Sequence, residues 1–366
     1  MSDSTNILTQ PFAPGIDSLP IRQKHELICK LWPQCKVPPE SLEFQTYAAF
    51  LQYMGSELDQ IQQHQRHFAV ESFGGIFDII QTLHENYSQP RSHVLQILST
   101  RFLNVEIAAI QRSLELSIRL WLTLNVNSSN VAIGPTFANE IPLDWDDSIS
   151  LKTMVVSQFS KSVGASNYAL RSKIDPNFTA AYLANTCGMK LYWTDNIASH
   201  LCFDLKRQVL TVYKHKICLV NHLNVGGDVP IPKDILAETL DTLNLLFPFG
   251  DLPTKQLLIK EGQRPFYGLG NCNRSRQLDI EHYAYYREEL EHLINSFNKP
   301  PRTWRQLATD RRNKLEWSAF WITVMVAGLT LVSIPCNIIQ ATYSVKAYHA
   351  TLDKPLDKGD RRGNWA

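Results

Sequence analysis

The chain is predicted to be mainly α (α+β), with a helical cytosolic domain carrying a small antiparallel β-meander, followed by one C-terminal transmembrane helix. Three observations predict this. Apolar residues recur at three- and four-residue spacing through most of residues 19–299. Three short segments rich in aromatic and β-branched residues cluster within residues 189–213. Residues 320–339, FWITVMVAGLTLVSIPCNII, contain no Asp, Glu, Lys, Arg or His. A helix of that length covers about 30 Å, the thickness of a bilayer's hydrocarbon core.

Residues 1–18 are polar and punctuated by Pro and Gly, so they are expected to be disordered. Helical periodicity then marks residues 21–32, 42–63, 76–84 and 93–103, separated by Pro33, Pro38, Pro39 and Pro90. The strongest pattern spans 107–124, where Ile107, Ile110, Leu114, Ile118 and Leu122 share one face with Trp121. Asn, Ser, Pro and Asp concentrate in residues 125–148, which read as loop.

The character changes after Gly188. MKLYWT (189–194), HLCFDL (200–205) and VLTVY (209–213) alternate with short polar links and are expected to form the meander. Helices resume with 234–247, carrying Leu236, Leu240, Leu243 and Phe247 on one face, and with 280–297. Pro300 and Pro301 open a basic juxtamembrane segment, residues 300–319, which leads into the transmembrane helix at 320–343 and a short polar tail at 344–366.

The anchor's flanks agree with a membrane span. Trp317 and Trp321 stand at one end and Tyr343 and Tyr348 at the other, where amphipathic rings favour the interfaces. Pro335 is expected to kink the helix rather than end it, because the bilayer offers the backbone no better alternative. Arg302, Arg305, Arg311, Arg312 and Lys314 precede the span, whereas the comparable window after it holds Lys346, Lys354 and Lys358, with Arg361 and Arg362 just beyond weakening the bias. That bias favours a cytosolic N-terminal side. The N-terminus lacks a basic n-region and an apolar h-region, so the expectation is a single-pass, tail-anchored layout.

Composition narrows the partners. Lys plus Arg number 36 against 35 Asp plus Glu, so charge makes no case for nucleic acid. The bilayer itself and an unknown protein are the expected partners. Seven cysteines, one inside the span and none in a CxxC pair, suit reduced thiols.

Candidate sites are few. His64 and His67 stand three residues apart, with no Cys or carboxylate nearby to complete a metal set, and read as a solvated face. His200, His215 and His222 with Cys202 and Cys218 match no zinc spacing. YGLGNCN, with Gly268 and Gly270, lacks the full GxGxxG pattern and reads as a turn. The WTDN segment remains: Trp193 is expected to pack the core while Asp195 and Asn196 make an Asx turn, its role otherwise unknown. Arg305, Arg311, Arg312 and Lys314 read as a topology determinant that also contacts lipid headgroups. Sequons at Asn86, Asn127, Asn177 and Asn273 would matter only in a lumenal domain. No catalytic, cofactor-binding or metal residue is assigned.

Four segments carry a resemblance. RSLELSIRLWLTLNV (112–126), LYWTDNIASHL (191–201), ETLDTLNLLFPFGD (238–251) and DRRNKLEWSAFW (310–321) resemble an uncharacterised family of ascomycete fungal proteins. Its members share a helical N-terminal body, a WTDN-like strand motif, an LFP helix end and a DRRN-type segment before one membrane helix. The resemblance implies architecture and fungal origin and transfers no catalytic residue. After Tyr213 this chain carries KHKICLV where the family has a histidine-rich segment. Two functions are expected from different classes. One is a membrane-tethered, non-enzymatic interaction module. The alternative is an accessory protein or unrecognised enzyme of a fungal secondary-metabolite pathway, handling a lipophilic intermediate.

Overall fold

The structure, a computed structural model, describes residues 15–33, 46–127, 142–161, 173–225, 229–299 and 314–352, together with Leu8, Phe12 and Ala308. The chain divides into two compact units, Met1–Lys299 and Pro300–Ala366.

The first unit opens with a 3-10 turn at Ile16–Ser18, then α1 (Ile21–Leu31), α2 (Ala48–Gln63), α3 (Phe73–Asn86), α4 (Arg91–Arg101) and α5 (Ile107–Leu122). Residues 1–18 were expected to be disordered, yet their described members pack: Ile16 is buried, and Phe12 sits edge-on to Phe73 at 5.5 Å. The reason is legible in hindsight, because Leu8, Phe12 and Ile16 recur every four residues and all meet the core. Ser72 caps α3, accepting from Gly75 N. α5 stops where Thr123 turns left-handed at φ 51°.

β1 (Val126–Asn127) and β2 (Leu143–Asp144) form a short parallel pair, followed by α6 (Leu151–Gln158) and α7 (Ala180–Asn185). Residues 128–141, the middle of the expected loop, lie outside the described residues. Gly188, at φ 72°, turns the chain into β3 (Lys190–Thr194). β4 (Phe203–Asp204) and β5 (Val209–Tyr213) complete a three-stranded sheet.

A small sheet in a mainly helical unit was expected, but its connectivity is not a meander. The order is β3-β5-β4, with β3 parallel to β5 and β4 antiparallel to it. Residues 195–202 explain the difference. Asn196 caps a 3-10 turn at Ile197–Ser199, and Leu201 adopts φ 62°, so the middle segment keeps only two strand residues. β5 is almost wholly buried, and such a continuous apolar strand belongs in the centre.

α8 (Lys216–Asn224), α9 (Lys233–Leu246), α10 (Leu252–Lys260), α11 (Arg264–Gly268) and α12 (Arg287–Phe297) complete the unit. The helix expected over 280–297 begins only at Arg287. Glu238 on α9 accepts the backbone N–H groups of Ala284, Tyr285 and Tyr286 at 2.9, 2.7 and 2.8 Å, which withdraws them from a helical ladder. Trp32, Trp145, Tyr213, Tyr283, Phe50 and Phe178 are the largest apolar side chains sealed in the core.

In the second unit, α13 (Lys314–Leu352) is one unbroken helix with Pro335 inside it. Its most apolar 18-residue stretch has a mean hydropathy of 2.0, and none of that stretch is buried within the protein. The helix is therefore long and apolar enough to span a membrane.

Candidate functional site

The WTDN residues meet the start of α8 at the ends of two parallel strands. Thr194 and Tyr213 are register partners, so Asp195 and Lys214 leave the sheet side by side. Asp195 Oδ1 accepts from His215 Nε2 at 2.6 Å and from Lys214 Nζ at 2.8 Å. The His215 ring is buried among Phe50, Tyr53 and Tyr213, with centroids 5.7, 5.3 and 5.7 Å away.

Burial pushes the Asp195 carboxyl up, but the hydrogen bond and charge of His215, aided by Lys214, outweigh it and hold the group below its ordinary value. Burial likewise pushes His215 down, against the opposing pull of Asp195. The imidazole is therefore neutral at pH 7 and donates through Nε2. Its Nδ1 has no partner among the described residues. A neutral His–Asp pair resembles half of a nucleophilic triad, but no Ser or Thr hydroxyl or Cys thiol hydrogen-bonds this imidazole among the described residues.

Trp193 is half-buried against Phe247 and Phe266, at 5.5 and 5.8 Å. The expected Asx turn belongs to Asn196 and not to Asp195. Asn196 Oδ1 accepts from Ala198 N at 3.1 Å and from Asn125 N at 3.3 Å, while its Nδ2 donates to Ser199 Oγ. Asp195 instead forms the ion pair, a role its position in WTDN does not reveal because Lys214 and His215 lie about twenty residues on.

The other histidines are dispersed into separate bonds. His200 Nδ1 accepts from Tyr213 N, and its Nε2 pairs with Thr242 Oγ1 at 2.7 Å. His222 Nε2 donates to Trp121 O at 3.0 Å. Trp32 Nε1 lies 3.4 Å from the same nitrogen, too far to compete once that nitrogen carries the proton. Burial drives His200 down to about 3 and His222 down to about 4. His64 and His67 are exposed with rings 6.1 Å apart. Among the described residues no three His, Cys, Asp or Glu side chains converge to hold a metal.

Several buried charges escaped the sequence reading. Lys216 Nζ donates to Asn244 Oδ1 at 2.9 Å and to Gly270 O at 2.5 Å, and lies 5.2 Å from the centre of the Phe266 ring. Burial pushes its ammonium down. The YGLGNCN turn thus supplies carbonyls to a lysine, and Asn271 O accepts from Asn244 Nδ2. That is the reverse of a phosphate loop, which presents N–H groups. Asp241 takes Arg274 bidentately at 2.6 Å and His282 at 3.0 Å. Glu238 and Asp241, three apart on one helix and so on one side of it, are the available signal.

These contacts assign a use to the resemblance motifs inside the helical unit. In 112–126, Ser113 accepts from Ala69 N, Arg119 pairs with Glu57 at 2.8 Å, and Thr123 Oγ1 meets Tyr213 OH at 2.7 Å. In 238–251, Thr242 holds His200, and Asp251 caps α10 by accepting from Thr254 N. The motifs bond mainly to one another and to neighbouring helices.

At the membrane segment, Trp317 is half-buried, with Nε1 donating to Ala308 O at 3.0 Å, and its ring lies 6.5 Å from that of Trp321. Trp321 is 45% and Tyr343 69% exposed. Around Pro335 the hydroxyls of Thr330 and Ser333 donate to Val326 O and Thr330 O, so neither reaches the carbonyl of Leu331 that the proline leaves without a helical donor. Arg305, Arg311 and Arg312 lie outside the described residues, and Lys314 is the first residue of α13.

Comparison with protein-family models, with curated protein sequences and with solved structures finds no match to this chain.

Proposed function

We propose that the protein is a membrane-tethered, non-enzymatic interaction module, with its helical unit in the cytosol and α13 as a single-pass anchor. The observation that carries this reading is α13 itself. Its apolar side chains have no protein core to bury them, so water is an unfavourable surrounding along its whole length. Within about twenty residues of the apolar run 320–339, five Arg and Lys precede it and three follow, with Arg361 and Arg362 just beyond, a modest bias that supports the cytosolic side. The motif residues that resemble a fungal family serve as internal ties, which supports a shared architecture rather than a shared reaction.

One observation favours the alternative, a protein handling a lipophilic intermediate in a biosynthetic pathway. Asp195 is half-exposed beyond the carboxyl ends of adjacent parallel strands, where sheets of this kind place ligands. The test of the proposal is protease treatment of sealed microsomes carrying the full chain. The helical unit should be digested while a fragment containing 317–352 is spared, and Asn86, Asn177 and Asn273 should carry no glycan. A glycosidase-sensitive mobility shift would reverse the orientation.

A further inference from the structure

We propose that the outward face of α10, with the turn that leads into it, seats on the surface of the membrane that α13 anchors. This rests on the tethered reading above and adds a second contact between protein and lipid.

The helix itself separates two faces. Thr254, Leu257 and Leu258 are buried, whereas Leu252 is 63% and Ile259 51% exposed. Those two residues are seven apart and share one side of the helix. Gln256 is exposed between them, and Lys255 and Lys260 are exposed on the two flanks. Just before the helix Phe249 is 59% exposed, with its ring 5.3 Å from Tyr267. The Tyr267 hydroxyl accepts from Gly250 N at 3.2 Å, which fixes the turn. Lys255 Nζ lies 5.9 Å from the same ring.

An exposed apolar centre with an aromatic residue at its edge and lysines on both flanks is the pattern of a segment that lies in a lipid interface. The apolar side chains enter the headgroup–acyl boundary, and the ammonium groups reach anionic headgroups. Lysines on both flanks of an apolar centre complement an anionic lipid surface.

Connectivity supplies the other argument. Residues 300–316 join the helical unit to the span, and seventeen residues reach at most about 60 Å when fully extended. On the tethered reading every face of the helical unit stays within that reach of a bilayer, so even a weak surface affinity acts at high effective concentration. The exposed pair Leu103 and Ile107 differs, because Glu106 is exposed between them. With Arg101 exposed beside Leu103 and offset by Glu106, that site carries no net positive charge to draw anionic headgroups.

The test uses the full chain reconstituted into vesicles, with p-benzoylphenylalanine replacing Leu252 or Ile259 and, as control, the more exposed Leu103. Illumination in phosphatidylcholine vesicles containing phosphatidylserine should give lipid adducts at 252 and 259 but not at 103. The double variant Lys255→Glu, Lys260→Glu, combined with the label at 252, should lower the adduct yield by about fivefold or more, as two reversed charges near an anionic surface require. Flotation of the chain with vesicles but without adducts at 252 and 259 overturns this inference alone. Adducts of doubled protein mass, or a yield insensitive to the two lysines, overturn it as well. Failure to float overturns the tether and this contact together.

Discussion

Acid should destabilise the helical unit well before its carboxylates titrate, because sealed imidazoles resist protonation, His200 and His222 most strongly and His215 in the same direction. His200 is held down to about 3 and His222 to about 4, each by burial, against about 6.5 in an unfolded chain. Above about pH 6.5 both states carry these rings neutral, and they add nothing to the difference. Below it the unfolded chain takes up protons that the folded chain refuses, so stability falls until the folded values are reached. At pH 5 each histidine has cost about 2 kcal/mol, together about 4 kcal/mol. For a unit of this size that lowers the melting temperature by roughly 5–10 °C. Unfolded Asp and Glu are mostly ionised at pH 5, so the loss between pH 6.5 and 5 belongs to the histidines. The assay is thermal unfolding of the detergent-solubilised full chain by near-ultraviolet circular dichroism from pH 7.5 to 5. His200→Gln, which keeps a donor for Thr242, should lower stability at pH 7.5 yet remove its own share, about 2 kcal/mol, of the loss between pH 6.5 and 5. An unchanged melting temperature at pH 5, or a full slope in His200→Gln, would refute the reasoning.

Three further outcomes are expected. Deleting 320–366 should move the chain from the carbonate-resistant pellet to the supernatant, since among the described residues α13 is the single candidate span; a pelleted truncation would reveal another anchor. Glu238→Ala leaves three backbone N–H groups without their acceptor and should cost about 3–5 kcal/mol in denaturant unfolding, whereas a loss under 1 kcal/mol would mean that water replaces the carboxylate. Trp193→Ala should cost about 2–4 kcal/mol through a cavity against Phe247 and Phe266, and Asp195→Ala about 2 kcal/mol by leaving His215 Nε2 without its acceptor. An Asp195→Ala protein that melts normally but loses its cellular role would instead make Asp195 a ligand or catalytic group.

Helices with a strong apolar stripe were legible in the sequence, and 107–124 appears as Ile107–Leu122 because the helical period survives along its whole length. Short helices were not: Leu252–Lys260 and Lys216–Asn224 are too brief to establish a period, and the second is buried on several sides. The three strand segments were found, but their order was not. Pairing order depends on which strand is buried on both faces, and on Asn196 and Leu201 removing residues from the middle segment. The break at 283–286 was invisible because its cause, Glu238, lies more than forty residues away. Asn196 is legible as a turn residue because its bonds close on Ala198 and Ser199, and Trp193 as a packing residue because of its bulk alone, since its partners Phe247 and Phe266 lie far along the chain. Asp195 was misassigned because its partners come from the next strand end.

Local sequence therefore reveals a polar residue's role when its bond closes within a few positions and conceals it when the bond crosses the fold. The same distinction bears on where function can reside. Asp241, Glu238, Lys216, His200 and Thr123 each hold two distant elements together, and changing any of them removes a tie before it removes an activity. A recognition surface must instead come from side chains the fold does not consume. On α10 the capping bond of Asp251 and the buried Leu257 and Leu258 hold the helix, while Leu252, Lys255, Ile259 and Lys260 face outward. Substituting those four should leave the unfolding free energy within about 1 kcal/mol of the parent while changing what the helix touches. A core-level loss of stability would show that this face is already covered by the protein itself.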